Sequence, residues 1–359
     1  DHGISHMRDK QFLYDGGIKV PLIVRFPDGS QNGAVRKDLV EHIDIAATSL
    51  ALADIPIPDR VQGRNLFSSS HEPREFIFAA RDRCDETVDI IRCVRTDRYK
   101  YIRNFMSYLP HAQPNQYKDG KEILKRIKIL YQAGELSELQ ARVYQSPRPT
   151  EELYDIQNDP YETRNLAGDP AHEEVLTSLR SRLYKSMIET QDVGLIPEPV
   201  LEEMGKEAGN KYFVLDRPEN EDLIEELIGS IEAGEDGNIG TLTDALKSDQ
   251  PAVRYWAATW LGVKGGKRAI DSLNPLFGDP SPGVRVAAAL AAGRLGETEV
   301  AVKLLADHID HPTVVVGMFA IRAVELLNPP NADQIPEVVA AKESPYEFTQ
   351  RIANRIASN

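Results

Sequence analysis

Apolar and polar positions in the first part of the chain follow a strand pattern and then a helical one. Residues 18–26 form a β-branched run that stops at a Pro-Asp-Gly turn signal, which predicts a strand. Apolar residues spaced three or four apart over residues 38–53 predict a helix with one buried face. A strand next to a helix on this scale is typical of an α/β layer fold, so we assign residues 1–75 to an α/β core.

A second group of short apolar runs predicts a small antiparallel sheet followed by a helix. Asp169 and Pro170 mark the start of that helix, as N-cap and first helical residue. We therefore expect a sheet-and-helix subdomain over residues 76–192, in which residues 110–150 form a polar surface insertion. The predicted strands are residues 76–80, 90–95, 99–103 and 152–155.

Five bases occur on and between the two central strands of this predicted sheet. Because successive side chains of a strand point to opposite faces, we expect these bases on the solvent face of a hairpin. They are Arg92, Arg95, Arg98, Lys100 and Arg103.

The last third of the chain is repetitive. The Val-Arg pair at residues 253–254 recurs at 284–285, each time followed by an Ala-rich stretch. This spacing predicts stacked helix pairs, and the Asp-x-x-x-Val-Arg-x-x-Ala-Ala pattern resembles HEAT repeats. We predict an all-α HEAT-like solenoid over residues 221–359, joined through a Pro- and Gly-punctuated linker at 193–220. The core between its helices is expected to include Trp256 and Trp260.

Composition narrows the class of protein. The 359 residues carry 42 bases and 56 acids, a formal net charge of −14, which argues against a nucleic-acid partner. Apolar residues never run long enough to cross a membrane. Two cysteines exclude a disulfide scaffold. The sequence opens without an initiator Met or a signal segment, and we expect it to be the later part of a longer protein.

Candidate chemistry is concentrated in the first ten residues. Asp1-His2-Gly3 places a carboxylate and an imidazole side by side before a flexible residue, and both can ligate one metal ion. Lys10 offers a cation to an anionic group. His6 and Arg8 alternate with Lys10, so an extended segment would project all three to one side. The alternative is a solvated polar loop.

The segments after Lys10 change the balance between these alternatives. They resemble the sulfatase family, in the branch of the heparan N-sulfatases, in the same order along residues 1–190. Where this chain has Lys10, that branch usually has Arg, which leaves both sulfate esters and sulfamates open as substrates. The matching segments are Asp1-His2-Gly3 with Lys10, Tyr14-Asp15-Gly16-Gly17-Ile18-Lys19-Val20-Pro21, residues 41–50, residues 62–66, residues 94–101, and Glu152-Leu153-Tyr154-Asp155 with Asp159-Pro160 and Asn165-Leu166-Ala167.

The resemblance implies a fold, a reaction and a set of site residues. The fold is the C-terminal part of an alkaline-phosphatase-like α/β core with a small sheet subdomain. The reaction is hydrolysis of sulfate esters or sulfamates by a hydrated formylglycine, which is made in a Cys/Ser-x-Pro/Ala-x-Arg motif that this sequence lacks. That residue and the first metal-binding Asp pair are therefore expected upstream. By the same match, Asp1 and His2 ligate the metal and Lys10 bridges sulfate and leaving group.

The residues and the resemblance also bear on the metal ion, the substrate and the cellular location. Calcium suits oxygen ligands, whereas the imidazole of His2 also admits manganese. Arg81 and Arg83, just after a predicted strand, join His6 and Arg8 as candidate ligands of a sulfated glycan. The alternative for these arginines is pairing with acidic neighbours. The family implies an extracytoplasmic protein, and the solenoid could bind a protein partner.

Two other functions stay open at this point. Related phosphonate and phosphodiester hydrolases share the Asp-His-Gly motif, so the substrate could be a phosphorus ester. The chain could also be a noncatalytic interaction protein in which a sulfatase remnant supports the solenoid.

Overall fold

A computed structural model describes residue 3 and residues 5–358 of the chain, in two compact units. The first unit comprises residues 1–82, 89–113 and 118–185. The second comprises residues 83–88, 114–117 and 186–359. None of the helices in the described part is long and apolar enough to cross a membrane.

The first unit combines helices with four short strands, whereas the second is helical. The strands are β1 (Ile77–Arg81), β2 (Ile91–Arg95), β3 (Tyr99–Asn104) and β4 (Glu151–Asp155). The α-helices up to residue 208 are α1 (Asp15–Ile18), α2 (Ile43–Leu52), α3 (Gln116–Asp119), α4 (Glu122–Gln132), α5 (Glu138–Ala141), α6 (Glu173–Glu189) and α7 (Glu198–Ala208). The remaining α-helices are α8 (Leu223–Glu235), α9 (Ile239–Ala245), α10 (Pro251–Lys264), α11 (Ile270–Leu273), α12 (Pro282–Arg294), α13 (Thr298–Ile309), α14 (Val314–Leu327), α15 (Pro336–Ala340) and α16 (Glu347–Ile356).

The four strands form one antiparallel sheet in the order β1-β2-β3-β4, which confirms the predicted sheet. The β2–β3 hairpin is closed by a bond of 2.8 Å from the Thr96 amide to the Tyr99 carbonyl. An apolar core covers one face, where Cys93 and Ile102 are register partners. The segment before α1 contributes Phe12 and Leu13 to this core. The sheet therefore supports the part of the chain that carries Lys10.

The predicted strand at residues 18–26 is wrong. Ile18 ends α1, and residues 19–26 have no regular structure, with Ile23 90% exposed. A β-branched run becomes a strand only when a neighbouring backbone bonds to it. Within the described residues no strand pairs with this run. The helix that follows is confirmed, although it begins at Ile43 rather than near residue 38.

The solvent-facing placement of the hairpin bases is also wrong for three of them. Lys100 is completely buried, and Arg92 and Arg103 are each 2% exposed. Each lies beside oxygen atoms of the protein. Lys100 contacts Asp15, 85 positions away in the sequence, whereas Arg92 contacts Asp82, only ten positions away. Buried charges are tolerated only when they are paired in this way. The strand register also places the strand bases on both faces of the sheet: Arg92 pairs with Arg103 on one face, and Arg95 pairs with Lys100 on the other.

The second unit contains the repeats and the stretch predicted as a linker. Residues 193–220 hold helix α7 and buried apolar side chains such as Leu195 and Val200. Trp256 and Trp260 are each 1% exposed, which confirms their predicted core position. The Trp256 indole also donates to the Leu195 carbonyl at 2.9 Å. The small antiparallel sheet and the helical repeats confirm the predicted combination of architectures.

Candidate functional site

Lys10 occupies the second position of a tight turn. The Phe12 amide donates to the Asp9 carbonyl at 2.9 Å, which closes the turn over residues 9–12. Gln11, at the third position, has φ of 80°, in the left-handed region that a type II turn requires and that normally selects glycine. A non-glycine residue held there is strained, and such strain concentrates at functional sites. Lys10 itself is half-buried.

Gly16 and Gly17 allow helix α1 to pack directly under this turn. A Cβ on Gly16 would lie 2.3 Å from the Asp9 carboxylate, and one on Gly17 would lie 2.1 Å from the Phe12 carbonyl. Any other residue would push the turn away from the helix. The Gly-Gly pair of the quoted motif therefore fixes the place of Lys10.

Two bases fasten the segment before the turn. Arg8 donates to the carbonyls of Tyr161 and Glu162, at 2.9 and 2.7 Å, and its guanidinium lies 3.8 Å from the centre of the Tyr14 ring. Lys118 donates to the His6 carbonyl at 3.0 Å. The imidazole of His6 is exposed. His6, Arg8 and Lys10 thus lie on one fastened loop, with Arg8 engaged by the protein's own carbonyls.

A buried ion network fixes the other end of the loop, at α1. The Lys100 ammonium lies 2.5 Å from a carboxylate oxygen of Asp15 and 2.7 Å from one of Glu162. Arg95 binds both Asp15 oxygens at 3.1 Å. Burial raises the pKa of Asp15, but the hydrogen bonds from Arg95 and the charge of Lys100 outweigh it and lower that pKa to about 2. Burial raises the pKa of Glu162.

A second buried network surrounds Glu152 of β4. Its carboxylate accepts hydrogen bonds from the hydroxyls of Tyr14, at 2.8 Å, and Tyr154, at 2.5 Å, and from Asn104 at 2.8 Å. Burial raises the pKa of Glu152, but the hydrogen bonds, with that of His111 foremost, lower it to about 2. Burial lowers the pKa of His111. The neutral ring can then donate to Glu152 through Nε2.

The two buried networks were missed by the sequence reasoning. Glu152 and Tyr154 belong to a motif that was recognised, but a motif does not state which atoms its residues contact. Lys100 and Glu162 are too far apart in the sequence for any spacing rule to connect them. The available signal was chemical: charged residues within otherwise apolar strands must be either solvated or paired.

The two predicted arginine ligands, Arg81 and Arg83, have different surroundings in the structure. Arg81 is buried, 3.7 Å from Asp89, with its guanidinium 4.8 Å from the centre of the Phe12 ring, so it touches the loop that carries Lys10. Arg83 belongs to the second unit. It binds Glu198 through two nitrogens, at 2.6 and 3.0 Å. Both arginines therefore have carboxylate partners within the protein.

Asp1 and His2, the predicted metal ligands, lie outside the described residues. Among residue 3 and residues 5–358, no three His, Cys, Asp or Glu side chains are grouped as a metal site would need. Within the described range, Lys10 is a half-buried lysine at the second position of the turn. Such a group can hold an anionic oxygen through charge and hydrogen bonding.

The motif at residues 41–50 forms a structural hub. Asp44 is completely buried and binds Arg74 through both oxygens, at 2.7 and 2.9 Å. The same carboxylate accepts the amides of Glu41 and Arg64. A Cβ on Gly63 would lie 2.1 Å from the Ile43 carbonyl, so the motif at residues 62–66 fits directly against the start of α2. The contacts of these two motifs stabilise the fold around the start of α2.

Comparison with known proteins divides the chain into two matched regions. Residues 2–147 match the family described as N-sulphoglucosamine sulphohydrolase, C-terminal, and residues 239–340 match HEAT repeats. An ulvan-active sulfatase of Formosa agariphila is 32% identical over 202 residues, which are 56% of this chain and 34% of that protein. Human N-sulphoglucosamine sulphohydrolase is 28% identical over 220 residues, which are 56% of this chain and 43% of that protein.

The chain thus spans between a third and a half of the length of these two relatives. A solved structure of a 2-O GAG sulfatase shares 21% identity, with a TM-score of 0.28, over 42% of this chain and 25% of that one.

Proposed function

Because the chain carries a sulfatase C-terminal region at residues 2–147 and HEAT repeats at residues 239–340, we propose that it is the C-terminal portion of a metal-dependent sulfatase. Its substrates are sulfate esters or sulfamates of sulfated glycans, and it works outside the cytoplasm. The names of the relatives from Formosa agariphila and Homo sapiens support this substrate class.

The strained turn that presents Lys10 is the observation that carries the proposal. A solvated polar loop has no physical reason to exclude a Cβ at both Gly16 and Gly17, where the turn with Gln11 at φ of 80° packs against helix α1. Sulfate hydrolysis leaves negative charge on the departing oxygen. An ammonium fixed before the reaction stabilises that charge without having to reorganise during the reaction. Lys10 is therefore proposed to contact both a sulfate oxygen and the leaving group.

The remaining proposed roles rest on residue chemistry. Asp1 and His2 offer a carboxylate and an imidazole, a donor pair that fits calcium or manganese. A bound cation of this kind supplies positive charge to the sulfate oxygens. The formylglycine nucleophile lies outside this sequence. We propose the exposed His6 imidazole as a ligand of the glycan, with Arg8 and Arg81 of the same unit as further candidates. Arg83 of the second unit is a separate candidate.

The experiment that tests the proposal is Lys10→Ala in the full-length protein. We expect kcat on sulfated sugars to fall by about 10²-fold or more, the scale for losing one preorganised electrostatic group. The matched control is Lys264→Ala, an exposed lysine of the repeats, which should leave kcat unchanged. Equal turnover in both variants, with the wild type active, would remove Lys10 from the chemistry.

The Asp-His-Gly motif keeps a phosphonate or phosphodiester hydrolase as a second candidate. The same preparation, loaded with calcium or with manganese, should be assayed on sulfated sugars and on phosphonate esters. We expect kcat/KM to be higher on the sulfated sugars. A higher value on the phosphorus esters would establish the second candidate, and inactivity on both would support the noncatalytic remnant.

A further inference from the structure

Helix α4 carries a strongly basic surface on an acidic protein. Residues 118–131 contain five bases and two acids, whereas the whole chain has a net charge of −14. Three of the bases are spaced at i, i+4 and i+7, so they lie along one side of the helix. We call the four exposed bases the α4 basic surface. They are Lys121, Lys125, Arg126 and Lys128.

This arrangement is unfavourable for the helix itself. Like charges four positions apart destabilise a helix, as Lys121 and Lys125 do here. Lys121 is also the N-cap residue, where the helix dipole disfavours a cation. Glu122 offsets part of this repulsion through its contact of 2.7 Å with Lys125. A bound polyanion would place further negative charge beside these bases and stabilise the helix.

The apolar residues of α4 are only partly used by the protein's own packing. Leu124 is 5% exposed, and Ile127 and Leu130 are half-buried. A helix that inserts into a lipid surface needs its apolar side free. Here Leu124 packs inward, whereas Ile123 and Ile129 are 47% and 52% exposed. The four exposed bases favour a polyanion as the partner, and a membrane is one of the outcomes that the test separates.

The basic surface is connected directly to the loop that carries Lys10. Lys118 lies three residues before Lys121, and its ammonium donates to the His6 carbonyl at 3.0 Å. The same ammonium lies 4.5 Å from the centre of the Phe12 ring, at the end of the turn. A long polymer bound along α4 could therefore extend to the turn.

We propose that the α4 basic surface binds a linear sulfated polysaccharide and holds the polymer beside the loop of Lys10. The choice of a sulfated saccharide among polyanions rests on the proposed function. Sulfate groups along the chain supply charges that surface lysines and arginines contact one by one, in a manner that salt screens.

The test is binding of dextran sulfate, with uncharged dextran of the same length as the reference ligand. Arg126→Gln/Lys128→Gln in the full-length protein should raise the Kd for dextran sulfate about tenfold at low ionic strength, as expected for two surface charge contacts. Lys267→Gln/Arg268→Gln removes the same charge from exposed residues of the repeats and is the matched control. It should leave the Kd unchanged, and the melting temperature of both variants should match the wild type.

An unchanged Kd in the α4 variant, or an equal loss in both variants, would overturn the proposal. So would tighter binding to vesicles containing phosphatidylserine than to dextran sulfate, because the surface would then serve a membrane. Binding is measured without turnover. A protein that binds dextran sulfate through α4 but hydrolyses no sulfate would therefore refute the proposed function and not this surface.

Discussion

The sheet of the first unit and the repeats of the second are held together in different ways. At the centre of the sheet, the fully or almost fully buried side chains include Lys100, Arg103 and Glu152. In the repeats, the ten buried residues of α12 are all apolar or small. Burying a charge is costly unless every partner is in place, whereas apolar burial is favourable at each position separately. The sheet therefore depends on a few specific contacts, whereas α12 depends on many interchangeable ones. Charged pairs are buried in the repeats as well, such as that of Glu325 with Arg322, but they lie outside α12.

This difference explains why buried residues of the repeats could be predicted from the sequence and the buried charges of the sheet could not. Trp256 and Trp260 could be assigned to a core because a repeat buries its apolar side against the next repeat in the chain. The side chain of Lys100 could not be placed in the same way. Its partners, Asp15 and Glu162, come from segments far away in the sequence, and only the folded unit brings them together.

Among the variants that test this comparison, we expect Lys100→Met to lower the free energy of unfolding most. Removing this ammonium leaves Asp15 and Glu162 buried without their shared partner, which costs about 3–5 kcal/mol of unfolding free energy. Lys247→Met is the matched control, because Lys247 is exposed and its pair with Asp244 is solvated. That variant should change stability by less than about 0.5 kcal/mol. Urea unfolding of both variants gives the comparison.

A double variant identifies the origin of the loss. If the unpaired carboxylates cause it, Lys100→Met combined with Glu162→Gln should be less destabilised than the sum of the two single variants. Strict additivity would mean that Lys100 stabilises the sheet through packing alone. The contrast between a charge-dependent sheet and apolar repeats would then be wrong.

Acid should weaken the sheet before it weakens the repeats. The pKa of Asp15 and that of Glu152 are both held at about 2, below their ordinary values of 3.8 and 4.5. A carboxyl with a lowered folded-state pKa stabilises the fold fully above its unfolded-state value. This stabilisation is lost as the pH falls from about 4.5 to 2. Protonating either group also leaves its buried partners unsatisfied.

Two probes follow the two regions separately. Hydrogen exchange of peptides from β2 to β4 reports on the sheet. Tryptophan fluorescence reports on the repeats, because both tryptophans of the chain, Trp256 and Trp260, lie on α10. We expect exchange of the sheet to increase at a higher pH than the change in fluorescence. Coincident transitions would show that the two regions unfold together and that the carboxylates do not set the order.

The candidate site also has features that the sequence predicts and features that it does not. Some features of the second kind depend on residues that are far apart in the sequence. The sequence singles out Lys10 as a cation and by its order relative to the family motif that contains Gly16 and Gly17. The close approach of the turn to these two glycines is seen only in the structure. The positive φ of Gln11 could not be predicted, since nothing in that side chain demands it. The engagement of Arg83 with Glu198 was also out of reach, because the two residues are 115 positions apart.

The smallest effect concerns a close approach between helices of the repeats. A Cβ on Gly262 of α10 would lie 2.6 Å from the Cα of Ala291 of α12, so Gly262→Ala must push two helices apart. We expect a loss of about 1–3 kcal/mol, the cost of overpacking a core. Gly229 of α8 is the matched control: it is exposed, a Cβ there meets no atom within 4 Å, and Gly229→Ala should stabilise the helix by about 0.5–1 kcal/mol. Thermal unfolding followed by tryptophan fluorescence measures both. If both substitutions stabilise the protein, the repeats are less tightly packed than the contact of Gly262 with Ala291 indicates. Apolar packing would then not be what distinguishes the repeats from the sheet.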